Sequence, residues 1–259
     1  MDFQNIFDKF SFLIGIIAAE VMIAWRFGKK DNFLLRFIIG LIPSLLASYF
    51  WNDFAGSLKG EPLMWFFASR YLVIFALSLI PVCLSFRGDI WSYLFTGVMA
   101  YCAQHIAYQL YGLIFALTGM TMPVVVRYMT LLFFHVLVYL ALYWSFVRKL
   151  KKGKPVTVDN HSQLVISAII LAITVYVSFF GIVRAIGSRE LLPQIVVLLF
   201  SILSCVLGLM LEMSFVKLKQ NETEMAILRH MVHMAKYQYQ ETKENIDTIN
   251  IKCHDLRHQ

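Results

Sequence analysis

The sequence predicts an all-α protein: a polytopic membrane helical bundle of about seven transmembrane helices, continuing into a long cytoplasmic coiled-coil helix. Three observations carry that expectation. Of the 259 residues, 59% are hydrophobic and 15% charged, more apolar surface than a soluble domain of this length can hide. Apolar runs of spanning length follow one another as far as Met213. From Ser214 onward the chain turns polar, holds no Pro or Gly, and repeats every seven residues.

The runs are read in order, each near the roughly 20 residues that cross a hydrocarbon core. Phe10–Phe27 closes on Arg26, Lys29 and Lys30, and Phe33–Trp51 closes on "NDFAGSLKGEP". Leu63–Phe86 ends at Arg87, and Ile90–Leu117 ends at "TGMTM". Pro123–Val147 runs into Arg148, Lys149, Lys151, Lys152 and Lys154, Leu164–Ile186 into "GSRE", and Leu191–Met213 into the tail. Loops rich in Lys and Arg alternate with loops that are not. The asymmetry predicts a multi-pass cell-membrane protein with its N-terminus outside and its tail in the cytoplasm. Asp2 and Asp8 outweigh Lys9 and no small-residue cleavage site stands out, so no cleavable signal peptide is expected. The net charge of +7 is spread over short loops beside lipid, which argues for the bilayer and against nucleic acid as partner.

In the tail, Met225, Val232, Tyr239, Ile246 and Cys253 share one heptad position, and Leu228, Ala235, Thr242, Ile249 and Leu256 the next apolar one. This predicts a parallel homodimeric coiled coil of moderate stability. The domain reading is therefore 1–213 transmembrane sensor domain, 214–250 coiled-coil signalling helix, and 251–259 start of a dimerisation helix. Cys253 and Leu256 point into the seam, so His254 and Asp255 face outward. An exposed imidazole beside a carboxylate suits a nucleophile: the carboxylate takes one ring N–H and leaves the other nitrogen free to attack. A solvated helix face accounts for the same residues. His254 and His258 at i and i+4 have no third ligand, and no metal is expected.

Within the bundle, Tyr101, Gln104, His105 and Tyr108 recur on one face of the fourth run, with Tyr111 beside them. Intramembrane polar groups are costly, so this face should look inward. It serves either interhelical bonding or a signal pocket, with proton transfer through His105 and His135 a third reading. Arg70 and Arg127 lie toward the outer side, where they suit a carboxylate-bearing or peptide signal, or simply reach the headgroups. Glu20 and Arg36 are placed to pair, or Arg36 to snorkel. Cys83, Cys102 and Cys205 read as small apolar residues inside their runs, without disulfide or metal spacing.

"IKCHDLRHQ", after a heptad helix that follows several spans, resembles the phosphoacceptor box of membrane sensor histidine kinases. The resemblance is to the branch with a GHKL-type ATP-binding domain, related to the accessory-gene-regulator peptide receptors of Gram-positive bacteria. "AYCAQHIAYQLYGL" (Ala100–Leu113) resembles a membrane-span motif of clostridial members. The resemblance implies a two-component, quorum-sensing type of sensor. In it His254 is the phosphorylated residue, Asp255 its acid/base neighbour, and a response regulator the partner. It also implies ATP and Mg in the complete architecture. The second dimerisation helix and the ATP-binding domain of that pattern do not occur here, nor does a glycine-rich phosphate loop. The chain is thus expected to be truncated at the box, to hold no cofactor itself, and to accept phosphate without binding ATP; whether it is an enzyme alone stays open. The alternatives are a non-enzymatic receptor or adaptor and, with no internal repeat and scattered Pro43, Pro81, Pro123 and Pro193, a small-molecule transporter.

Overall fold

The structure, a computed structural model, describes residues 3–57, 61–118, 123–156, 161–188 and 191–258. Within these, side chains at 3–9, 52–53, 55–57, 61–68, 162–163, 178, 181–188, 254–255 and 257–258 are outside the description. The described residues are helical almost throughout: α1 Phe3–Ala24, α2 Phe33–Ser57, α3 Glu61–Ser85, α4 Ile90–Thr118, α5 Val124–Ser145, α6 His161–Ser188 and α7 Leu191–His258. A 3-10 turn, Val147–Lys149, follows α5. Each apolar run coincides with one helix over most of its length, because a chain in hydrocarbon satisfies its backbone only by bonding to itself; Phe27, Phe86, Pro123 and Val147 at the run ends lie outside the α-helices. By length and composition, Phe33–Trp51, Val124–Lys149 and Leu191–Cys253 are long and apolar enough to cross a membrane. Phe10–Ala24, Ser69–Ser85 and Leu164–Val177 are shorter apolar helices. α4 is 29 residues long, yet Gln104, His105 and Gln109 dilute its apolarity.

The chain divides into two compact units, Met1–Met213 and Ser214–Gln259. In the first, α4 packs against α1, α3, α5 and α6, and is buried almost continuously from Ser92 to Ala107. α2 lies against α3 and α1. The outer faces are apolar and exposed, with Leu34, Leu35 and Phe50 on α2, Val125 and Leu132 on α5, and Leu192 on α7. Such broad apolar exposure fits a lipid-facing wall. The second unit is the polar stretch of α7, exposed from Asn221 onward wherever its side chains are described.

Two prolines sit inside helices, Pro43 in α2 and Pro81 in α3. Pro81 has no N–H to offer the carbonyl four residues back, that of Leu77. Ser44 of α2 supplies the missing donor: its hydroxyl lies 2.9 Å from Leu77 O and 2.9 Å from Gly40 O. Close approach makes this possible, since a Cβ on Gly40 would lie 2.6 Å from Pro81 Cα.

At one end of the bundle the three basic loops are bonded together. Arg87 N–H donates to Gly28 O at 2.6 Å, and Lys30 N–H to Ser85 O at 2.9 Å. Gly153 N–H donates to Arg26 O at 2.8 Å, and Arg26 Nη2 to Arg148 O at 3.2 Å. Gly153 has φ +78°, a left-handed conformation that glycine adopts without Cβ strain. Ser92 Oγ donates to Val156 O at 2.8 Å, tying the third loop to the start of α4.

Ser44→Ala is expected to destabilise the bundle by about 1–3 kcal/mol, the cost of an unsatisfied buried carbonyl. In Pro81→Ala, which restores the N–H to Leu77 O, the same change should cost little. Reversible unfolding of the four proteins in detergent gives the coupling; equal costs in both backgrounds would refute the account.

Candidate functional site

The polar face of α4 exists, with a different membership from the expected one. Tyr101, Gln104 and His105 are buried, Gln104 at 1% and His105 at 6% exposure. Tyr108 is 46% exposed, and its ring meets Tyr111 at 6.5 Å. Helical spacing puts Tyr108 on the same face, but the neighbouring helices enclose that face less fully there. Gln109 takes its place in the buried set, at 3.1 Å from His105 Nε2.

His105 Nε2 also lies 2.7 Å from Ser201 Oγ of α7, a residue with no exposed surface. One ring nitrogen thus meets two partners. With Nε2 protonated the ring donates to the serine oxygen; in the other tautomer it accepts from the serine hydroxyl or the Gln109 amide. The contact belongs to a longer seam. A Cβ on Gly112 would sit 3.3 Å from Leu198, and one on Gly208 3.7 Å from Cys102 Sγ. Partner numbers rise along α7 as they fall along α4, so these helices run antiparallel. The α7 stripe is Leu198, Ser201, Cys205, Gly208 and Glu212, spaced by three and four residues. The Cys102 thiol meets the Cys205 thiol, and Glu212 bonds Ser167 of α6.

Tyr101 anchors an aromatic cluster, with ring centroids 5.7 Å from Phe12, 5.8 Å from Phe75 and 6.2 Å from His105. Tyr71 extends it to Phe12 at 5.2 Å and Phe179 at 6.0 Å. Arg70, the residue before Tyr71, is half-buried on α3. On the other side, a Cβ on Gly15 would lie 3.5 Å from both Gln104 Cγ and His135 Nε2. Those two polar groups therefore flank α1 at one level. His135 Nδ1 bonds Leu131 O at 2.8 Å, and Tyr139 OH donates to Gly15 O at 2.8 Å. Tyr101 OH and Gln104 Oε1 are buried with no hydrogen-bond partner among the described residues.

The pairing of Glu20 with Arg36 does not form. Glu20 is fully buried and accepts from Ser78 Oγ at 2.7 Å, whereas Arg36 is exposed and its Nε donates to Asp31 O at 2.9 Å. Arg127 is half-buried, with its guanidinium 5.4 Å from the Tyr128 ring centroid. His254 and Asp255 lie in the last turns of α7, and their side chains lie outside the described residues. Among the described residues no group of His, Cys, Asp and Glu is arranged to hold a metal ion.

Ser201, Gln109 and Ser78 were missed in the sequence. A serine inside an apolar run gives no signal by itself, although the Leu198–Glu212 stripe is visible once its spacing is sought. No family model, curated protein or solved structure matches the chain.

A double-mutant cycle of His105→Leu and Ser201→Ala is expected to give a coupling of about 0.6 kcal/mol and no more than about 1.7 kcal/mol, the mean and the maximum for hydrogen bonds between membrane helices. Unfolding in detergent or bicelles measures it, with Thr130→Ala and His105→Leu as a distant control pair that should add. A coupling within error of zero would remove this bond from the account.

Proposed function

We propose that the chain is the sensing and phosphoacceptor part of a membrane sensor histidine kinase of the GHKL-associated branch. It spans the membrane seven times, with its N-terminus outside and its tail in the cytoplasm. A signal received at the Tyr101–Gln104–His105 face alters how α7 sits against α4. In the dimer, the coiled coil carries that change to His254. The observation that carries this reading is the His105–Ser201 bond, because Ser201 belongs to the helix that runs without a break to His254.

Other observations support it. The loops read as cytoplasmic are bonded to one another, as only loops at the same end of the bundle can be. The antiparallel pairing of α4 and α7 turns the Met213 end of that seam toward the Ile90 end of α4, beside those loops. Two buried polar atoms without a partner among the described residues, Tyr101 OH and Gln104 Oε1, offer a hydrogen-bonding signal one donor and one acceptor. The seam residues Leu228, Val232, Ile246 and Ile249 are exposed in the single chain and would be covered by a second copy.

The chemistry at the tail is phosphoryl transfer. An imidazole nitrogen of His254 would attack the γ-phosphorus of ATP held with Mg by a GHKL-type domain, and ADP would leave. Asp255 accepts the N–H of the other ring nitrogen and offsets the positive charge that develops. The phosphoryl group then passes to a response regulator.

Supplied with the second helix and ATP-binding domain of a kinase of that branch, the chain is expected to acquire an acid-labile, base-stable phosphate. The label should vanish in His254→Gln, persist in His258→Gln and weaken in Asp255→Asn. Persistence in His254→Gln would overturn the site. No label in any variant, with cross-linking intact, would leave a non-enzymatic adaptor.

The register of the pair is checked by single cysteines. Disulfide trapping at Leu228 and Ile249 is expected to be efficient, and at Glu224 and Asn245 poor. Equal yields at all positions would contradict the seam.

A further inference from the structure

We infer that the three bonded basic loops form a binding site for the phosphate of anionic lipid headgroups. The loops are not independent strands of charge. The backbone bonds Arg87 to Gly28, Lys30 to Ser85 and Gly153 to Arg26 fix their spacing, and Lys30 Nζ is held on Cys83 O at 2.7 Å. Their cations are therefore gathered at one end of the bundle on loops of fixed spacing.

Aromatic rings set the depth of these cations. Lys29 Nζ lies 3.4 Å from the Trp25 ring centroid, and the Arg148 guanidinium 4.7 Å from that of Trp144. Both tryptophans are exposed and lie beside exposed aliphatic residues, Leu34 and Leu35 on one side and Leu140 on the other. Tryptophan in that setting sits at the boundary between hydrocarbon and headgroup. Cations resting on it lie at the height of lipid phosphates, too close to the apolar wall for a nucleic acid or an acidic protein to reach them. Beyond them Arg87, Lys151 and Lys152 are exposed. Nearby acids subtract little: the exposed Asp31 and Asp89 stand against Arg26, Lys29, Lys30, Arg87, Arg148, Lys149, Lys151, Lys152 and Lys154. Positive charge at this depth, with few local counter-ions, matches a monoanionic phosphodiester attached to two acyl chains that lie along α2 and α5.

The test uses the whole chain in an uncharged detergent, with native mass spectrometry counting bound lipid. Phosphatidylglycerol is expected to bind at least tenfold more tightly than phosphatidylcholine of the same chain length. Inorganic phosphate at equal concentration should not displace it. Arg87→Gln/Lys151→Gln/Lys152→Gln is expected to weaken phosphatidylglycerol binding on the order of a hundredfold. Arg127→Gln, on the far side of the bundle, should leave it unchanged. The lipid-free melting temperature guards against misfolding, and Lys151→Gln/Lys152→Gln, confined to one exposed loop, replaces the triple variant if that one melts early. Equal binding of the two lipids, displacement by inorganic phosphate, or full affinity in the loop variants would each overturn the proposal.

Discussion

A polar side chain enclosed by apolar helices has no water to bond, so it takes a partner from the bundle or carries the cost of an unmet bond, as Tyr101 OH and Gln104 Oε1 do among the described residues. Most of the specific contacts between helices in this chain follow from that constraint. Glu20 is answered by Ser78, the Leu77 carbonyl by Ser44, the Gly15 carbonyl by Tyr139, and His105 by Ser201. Leucine packing against leucine gives these helices cohesion without preferring one rotation over another. The few hydrogen bonds choose the faces that meet. Each contributes little alone, yet a buried group left without its partner costs about 1–3 kcal/mol, which penalises the wrong rotations.

The same constraint bears on the proposed signalling role. α4 is enclosed by its neighbours because its polar residues exclude it from the lipid boundary, and enclosure lets it touch several helices at once. Its contact with α7 is made through small or polar residues, Ser201, Cys205 and Gly208, across helices whose backbones approach at few points. A seam of that kind can slide or turn at low cost. The shared nitrogen of His105 gives it two bonding arrangements of comparable geometry. A change at the α4 face would thereby become a choice of position for α7. At the other level of the molecule, the bonded basic loops provide a fixed rim against which such a movement would be registered.

Much of this fold was legible in the sequence, for physical reasons. Apolar runs bounded by Arg87 or by the Arg148–Lys154 cluster become helices because hydrocarbon permits little else. The inward turn of Tyr101, Gln104 and His105 followed from their spacing. What the sequence withheld was pairing across helices. Glu20 and Arg36 looked like partners, but Arg36 reaches the backbone of Asp31 outside while Ser78 lies within bonding distance of the carboxyl. Tyr108 has the right spacing and the wrong surroundings, since enclosure depends on helices that a single segment does not reveal. Ser44 and Pro81 look unrelated until the two helices are seen side by side. The outward placement of His254 rests on the heptad alone.

The central claim is that the His105–Ser201 bond sets the position of the helix that bears the tail. Cys253 is exposed, Cys102 and Cys205 are buried and Cys83 is half-buried, so in a Cys83→Ser background a spin label can be placed at Cys253 of each copy without engineering the tail. Pulsed dipolar spectroscopy on the dimer in vesicles then reads the distance between the two tails. The account predicts that Ser201→Ala and His105→Leu shift this distance distribution in the same direction relative to the wild type. An identical distribution in all three folded proteins would contradict it.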